Sequence, residues 1–103
     1  MTQEMIKEYL AEYCKGRRRA QNSRIIEQAF NMSGNELRRT VARLRKKNIP
    51  VCSGPEGYYY AENAAEVYST IRQLKLMRNG LDEAIAGLER AFERFGFTGR
   101  DGA

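Results

Sequence analysis

The sequence predicts a mostly helical α+β fold: three short helices, a small β-hairpin, and then a long C-terminal helix. Three observations predict it. Apolar residues recur at steps of three and four through four segments, the signature of helices with one buried face. Turn-forming residues separate those segments: Gly16, Asn31, Asn48 and the run Gly54-Pro55-Glu56-Gly57. The stretch with strand character, residues 49–60, follows directly on the third helical segment.

The first helix is expected over Met5–Cys14, with Met5, Ile6, Tyr9, Leu10 and Tyr13 inward and Thr2 as a cap. Glu4, Glu8 and Glu12 form an acidic row on its flank, and Gly16 stops it. Asn22 or Ser23 caps a short second helix running to Phe30, whose inner face is Ile26, Ala29 and Phe30. Asn31 sits where a tight helix-to-helix turn needs a left-handed residue, which asparagine tolerates. Ser33 opens the third helix, and Glu36 three positions later completes a capping box. That helix runs to about Lys47 with Leu37, Val41 and Leu44 buried; Asn48 ends it and Pro50 keeps it from resuming. Ile49–Ser53 and Tyr58-Tyr59-Tyr60 read as two strands around the Gly54–Gly57 turn. A hairpin directly after a helix-turn-helix is the element called a wing, so residues 1–62 are expected to form a winged helix-turn-helix domain.

The remainder, residues 63–95, is expected to be helical, with residues 96–103 a flexible tail. Val67, Ile71, Leu74, Leu81, Ile85, Leu88, Phe92 and Phe95 follow alternating steps of three and four, with one gap at Arg78. A seam of that kind pairs helices in coiled coils, so the helix is expected to join two chains into a homodimer, or else to fold back and cover the core. Arg78 sets the register or ends the seam, and the following Asn79-Gly80 suggests a kink, or two packed helices, near Gly80.

At 103 residues the length suits one domain, and 42% hydrophobic with 30% charged residues is ordinary globular composition. No apolar run approaches the ~18–20 residues that cross a bilayer. The first residues lack the pattern of an export signal, so a cytoplasmic protein is expected. Cys14 and Cys52 fit no metal spacing and are expected as buried thiols. Histidine is absent, which removes the commonest general base and metal ligand together. With no clustered carboxylates and no glycine-rich phosphate loop, the chain is expected not to be an enzyme. No cofactor, metal or small-molecule ligand is indicated.

Charge points to a partner. Residues 15–47 hold eleven Lys/Arg against Glu27 and Glu36, whereas the rest of the chain is net acidic. A localised basic block of this kind is the footprint of a polyanion-binding face. At ~100° per residue, Asn35, Arg39, Ala42, Arg43 and Lys46 lie opposite the buried stripe of the third helix, with Arg38 and Arg45 on a flank. Arginine and lysine can bond guanine edges and asparagine can bond adenine. The expected base-reading set is therefore Asn35, Arg38, Arg39, Ala42, Arg43 and Lys46. Arg17, Arg18, Arg19 and Arg24, before and at the start of the second helix, are expected at phosphates together with Ser33 and Lys47. Flank arginines also pair with neighbouring helices, and the Glu4-Glu8-Glu12 row is the candidate partner of Arg38 and Arg45. The hairpin carries no Lys or Arg and has Glu56 at its tip, which demotes it as a DNA contact. It also keeps open an alternative, a protein-interaction adaptor on the same scaffold.

Residues 23–61 carry a resemblance. Met32-Ser33, Leu37-Arg38-Arg39, Val41, Leu44-Arg45, Ile49-Pro50-Val51-Cys52-Ser53 and Gly57-Tyr58-Tyr59-Tyr60-Ala61 resemble a group of small phage- and prophage-encoded winged-helix proteins. More distantly they are similar to the amino-terminal DNA-binding domain of biotin-operon repressors. The resemblance implies a winged-helix fold and duplex DNA binding, for transcriptional regulation or phage replication. Asn31 and Asn48 stand where that group usually has glycine.

Overall fold

A computed structural model describes residues 2–96. The chain is mostly helical with one two-stranded antiparallel hairpin. The elements are α1 (Thr2–Tyr13), a 3-10 turn (Arg17–Arg19), α2 (Ser23–Phe30), α3 (Gly34–Lys46), β1 (Val51–Gly54), β2 (Gly57–Tyr60) and α4 (Ala64–Arg94). They divide into two compact units, Met1–Thr70 and Ile71–Ala103. The expected tail, apart from Gly96, lies outside the described residues.

The expected caps of α2 and α3 form, whereas α1 already includes Thr2, the residue expected to cap it. Asn22 Oδ1 accepts the Arg24 N–H (2.8 Å) at the start of α2, and Asn31 closes that helix in the left-handed region (φ 52°, ψ 53°). Ser33 and Glu36 make the reciprocal capping box of α3. Asn48 (φ 69°) follows the end of α3 and releases the chain into β1.

The core of the first unit joins Ile6, Leu10 and Cys14 of α1 and its end, Ile26 of α2, Leu37, Val41 and Leu44 of α3, and Val51, Cys52 and Tyr59 of the hairpin. The inner faces are narrower than periodicity alone predicts. Met5 and Tyr13 of α1 are exposed, and so is Ala29 of α2, while Cys14 is fully buried. Thr40 joins the buried stripe of α3 because its hydroxyl is satisfied locally, donating to the Glu36 carbonyl (2.8 Å). Both cysteines are free and buried, and burial raises the Cys14 thiol above its ordinary range.

The hairpin register pairs Val51 with Tyr60, Cys52 with Tyr59, Ser53 with Tyr58 and Gly54 with Gly57. Its second strand is paired on both sides. Tyr58 exchanges backbone hydrogen bonds with Gln21 (2.9 and 3.0 Å), and Tyr60 bonds to the Cys14 carbonyl and the Gly16 N–H (both 2.8 Å). The linker between α1 and α2 thus acts as a third strand, and Tyr59 is enclosed between the layers. Gly57 makes this approach possible: at φ +129° a Cβ would stand 1.9 Å from the Gln21 carbonyl oxygen.

Helix α4 runs unbroken through Asn79 and Gly80, where a kink or two packed helices were expected. Its first turns belong to the first unit. Val67 packs on the core, and buried Thr70 accepts the Ser53 N–H at its Oγ1 (3.3 Å). Asn63 Oδ1 caps the helix by accepting the Glu66 N–H (3.0 Å). The Glu66 carboxylate in turn accepts the backbone N–H of Glu62 (2.8 Å) and of Arg17 (3.0 Å). No helix among the described residues is long and apolar enough to cross a membrane.

Candidate nucleic-acid interface

Helix α3 buries Leu37, Thr40, Val41 and Leu44, and that burial fixes which way its remaining residues face. Asn35, Arg38, Arg39, Ala42, Arg43 and Lys46, the six expected base readers, are all exposed. Among the described residues the one ion pair joins Lys7 to Glu4 on α1, so none joins a carboxylate to an α3 cation. From Arg39 to Lys46 is ~10 Å along the axis at 1.5 Å per residue, close to three base-pair steps of a duplex. Arg39 and Arg43 also border a shallow groove closed by Thr2 of α1, Phe30 and Asn31 at the end of α2, and Met32.

Two of the six are not independent. An Arg38 guanidinium N–H donates to Asn35 Oδ1 one turn earlier, so the Asn35 acceptor is shared. An adenine-specific contact needs both the donor and the acceptor of the amide. A bidentate contact from Asn35 to adenine would have to share that oxygen with Arg38.

Arg45 has a different task from its neighbours. It is half-buried, and its Nε donates to the Val51 carbonyl (2.8 Å) and a terminal nitrogen to Ser53 Oγ (3.2 Å). Burial pushes its pKa down. It is a strut between α3 and β1. The acidic row on α1, the expected partner of Arg45 and Arg38, takes neither: Arg45 faces the hairpin and Arg38 turns back on Asn35.

The expected phosphate contacts also divide. Arg18, Arg19 and Arg24 are exposed. Arg17 instead fastens its turn to α4. Its backbone N–H is held by Glu66, and a guanidinium nitrogen reaches Ser69 Oγ (3.5 Å). Its pKa is raised by the Tyr59 hydroxyl first, then by Glu56 and Glu66. That tyrosine hydroxyl is buried and has no hydrogen-bond partner among the described residues. Ser33 Oγ is engaged as the cap of α3, which leaves its hydroxyl proton available to an acceptor. Lys47 donates to Gln3 Oε1 (2.9 Å) and so ties the end of α3 to the start of α1. At the hairpin tip Pro55 and Glu56 are exposed.

That Arg17 and Lys47 act as ties was not visible in the sequence, because their partners lie 49 and 44 residues away; Arg45 was expected in a structural pair, with α1 rather than with β1. Glu66 was missed as well, though a signal could have found it: it stands three positions after Asn63, the spacing of a capping pair.

Comparison with protein-family models, characterised proteins and solved structures found no match. The likeness of residues 23–61 to winged-helix proteins rests on those residues alone.

Proposed function

We propose that the chain is a sequence-selective duplex-DNA-binding protein of winged helix-turn-helix build, acting in transcriptional regulation or in replication. In this reading α2 and α3 are the helix-turn-helix, α3 enters the major groove, and β1–β2 is the wing. The observation that carries it is the outer face of α3. Arg38, Arg39, Arg43 and Lys46 stand exposed, with no ion pair to a carboxylate among the described residues, on a helix held by a capping box and a buried stripe. A rigid cationic rod of this kind complements a phosphate-lined groove. Arg18, Arg19 and Arg24 supply phosphate anchors that add affinity without sequence choice. Arg17 and Lys47 are left to structural duty, and the wing, with its acidic tip, contributes little.

The test is binding to random-sequence duplex across a salt series. A protein neutralising about five phosphates loses affinity with a log–log slope of roughly −4 to −5. Selection from a random pool then shows whether one sequence is preferred. Absence of binding at low salt sinks the proposal, and the acidic, exposed hairpin tip then favours the protein-adaptor alternative.

A further inference from the structure

Beyond Thr70, helix α4 carries a stripe of exposed aliphatic side chains. Ile71, Leu74, Leu81, Ile85 and Leu88 are between 36% and 71% exposed. In heptad terms Ile71, Arg78 and Ile85 are at a positions, and Leu74, Leu81 and Leu88 at d. Charge along the same helix is split. Residues 71–80 hold Arg72, Lys75 and Arg78 with no acid, a net charge of +3. Residues 81–93 hold Asp82, Glu83, Glu89 and Glu93 against Arg90, a net charge of −3.

We infer that α4 pairs with α4 of a second copy of this chain, and that the two helices run antiparallel about a two-fold axis between Asn79 and Gly80. Three consequences of that register agree. The a residues of one copy meet the d residues of the other, Ile71 with Leu88, Leu74 with Ile85, and Arg78 with Leu81. Residues 71–80 of each copy, with Arg72, Lys75 and Arg78, lie along residues 79–88 of its mate, which hold Asp82 and Glu83 and no base, twice over by symmetry. Arg78, the one charged residue of the seam, lies beside Leu81 of the second copy, one residue from its Asp82. A parallel in-register pair fails on the two charge counts. It sets Arg78 against Arg78 inside the seam, the basic half against the basic half, and the acidic half against the acidic half. Isoleucine at a with leucine at d suits two parallel strands as well, so charge decides the direction. In the antiparallel pair Thr70 and its counterpart lie ~28 Å apart along the axis, 19 residues at 1.5 Å each.

The pairing does not depend on what α3 binds. It is tested without DNA, by sedimentation equilibrium and by disulfide trapping of single-cysteine additions at exposed seam positions. Cys14 and Cys52, being buried, serve as background. Leu74→Cys mixed with Ile85→Cys is expected to give a cross-linked heterodimer under mild oxidation, while each variant alone gives several-fold less. Raising salt from low to molar concentration is expected to weaken the dimer severalfold, since opposite charges are screened. Leu81→Asp is expected to give monomers, with helical circular dichroism in the first unit's thermal transition unchanged. A chain that is monomeric at all concentrations overturns the inference. So does efficient cross-linking of Leu74→Cys to itself, or a dimer that tightens as salt rises, both of which mark a parallel pair.

Discussion

Helices α3 and α4 are built from the same kind of pattern and use it differently. Each places aliphatic residues at steps of three and four and surrounds them with charge. In α3 the stripe is enclosed: Leu37, Val41 and Leu44 are almost wholly buried within the first unit. In α4, from Ile71 onward, equivalent residues are exposed, Leu81 at 66% and Leu88 at 71%. The charges differ in the same sense. Those of α3 are nearly all positive and suit a polyanion. Those of α4 are divided into a positive and a negative half and suit a copy of themselves. Periodicity alone therefore identifies an apolar face. The chemistry of the opposite face distinguishes what that face is for.

The sharpest test of this contrast is truncation of one leucine on each helix. Leu44→Ala removes a side chain from a closed core and is expected to cost roughly 2–5 kcal/mol of stability. Leu88→Ala, measured at dilution, is expected to stay within about 0.5 kcal/mol. Urea denaturation of both variants checks the pair; equal losses would erase the distinction. Gly57→Ala probes the same enclosure from the hairpin side. Its Cβ would meet the Gln21 carbonyl, and the positive φ is strained for alanine besides. A loss of about 2–3 kcal/mol is expected, and a neutral result would mean that β2 and the linker can separate at little cost.

Much of this was legible beforehand, and what was not has a common cause. The buried stripe of α3, the left-handed Asn31 and Asn48, and the Ser33–Glu36 capping box depend on residues a few positions apart, and all appear. The exposure of Asn35, Arg39, Ala42, Arg43 and Lys46 follows from the same periodicity. What escaped was long-range. The linker pairing with β2 joins Gln21 to Tyr58 and Gly16 to Tyr60, and nothing in either segment announces the other. Met5 and Tyr13 fit the helical period of α1, yet the core has no surface left to cover them. The helical period puts Arg43 on the outer face of α3 and Arg45 on its flank, where a structural pair with the acidic row of α1 was expected; its task was legible and its partner was not. The position of the Val51 carbonyl makes Arg45 a strut to β1.

That last pair gives a comparison within one helix. Arg45→Ala strands the Val51 carbonyl and loosens Ser53, and is expected to cost about 1–2 kcal/mol of stability. Arg39→Ala is expected to leave stability unchanged. If α3 reads DNA, it instead weakens binding by roughly 1–3 kcal/mol and relaxes preference at one base position. Arg18→Ala should then weaken all sequences about equally. Denaturation and binding measured side by side sort the three. Base selectivity lost equally in Arg39→Ala and Arg18→Ala would end the division into reading and anchoring contacts.

The smallest effect expected concerns the point where α4 is still part of the first unit. The Glu66 carboxylate accepts the N–H of Glu62 and of Arg17, and these hydrogen bonds hold its pKa below the ordinary glutamate value of 4.5. A group whose pKa is lower in the folded chain than in the unfolded one stabilises the fold fully above the unfolded value. That contribution is lost as pH falls through the folded value. The window therefore opens near pH 4.5 and extends below it, so at neutral pH the contribution is complete. Comparing urea midpoints at pH 7 and pH 3 isolates it. The wild-type chain should lose more between the two pH values than Glu66→Gln, whose amide still accepts one hydrogen bond but does not titrate there. The site is largely exposed, so the difference should be slight and should shrink in salt. Parallel losses in the two proteins would mean that Arg17, with its reach to Ser69, holds the start of α4 without help from the carboxylate.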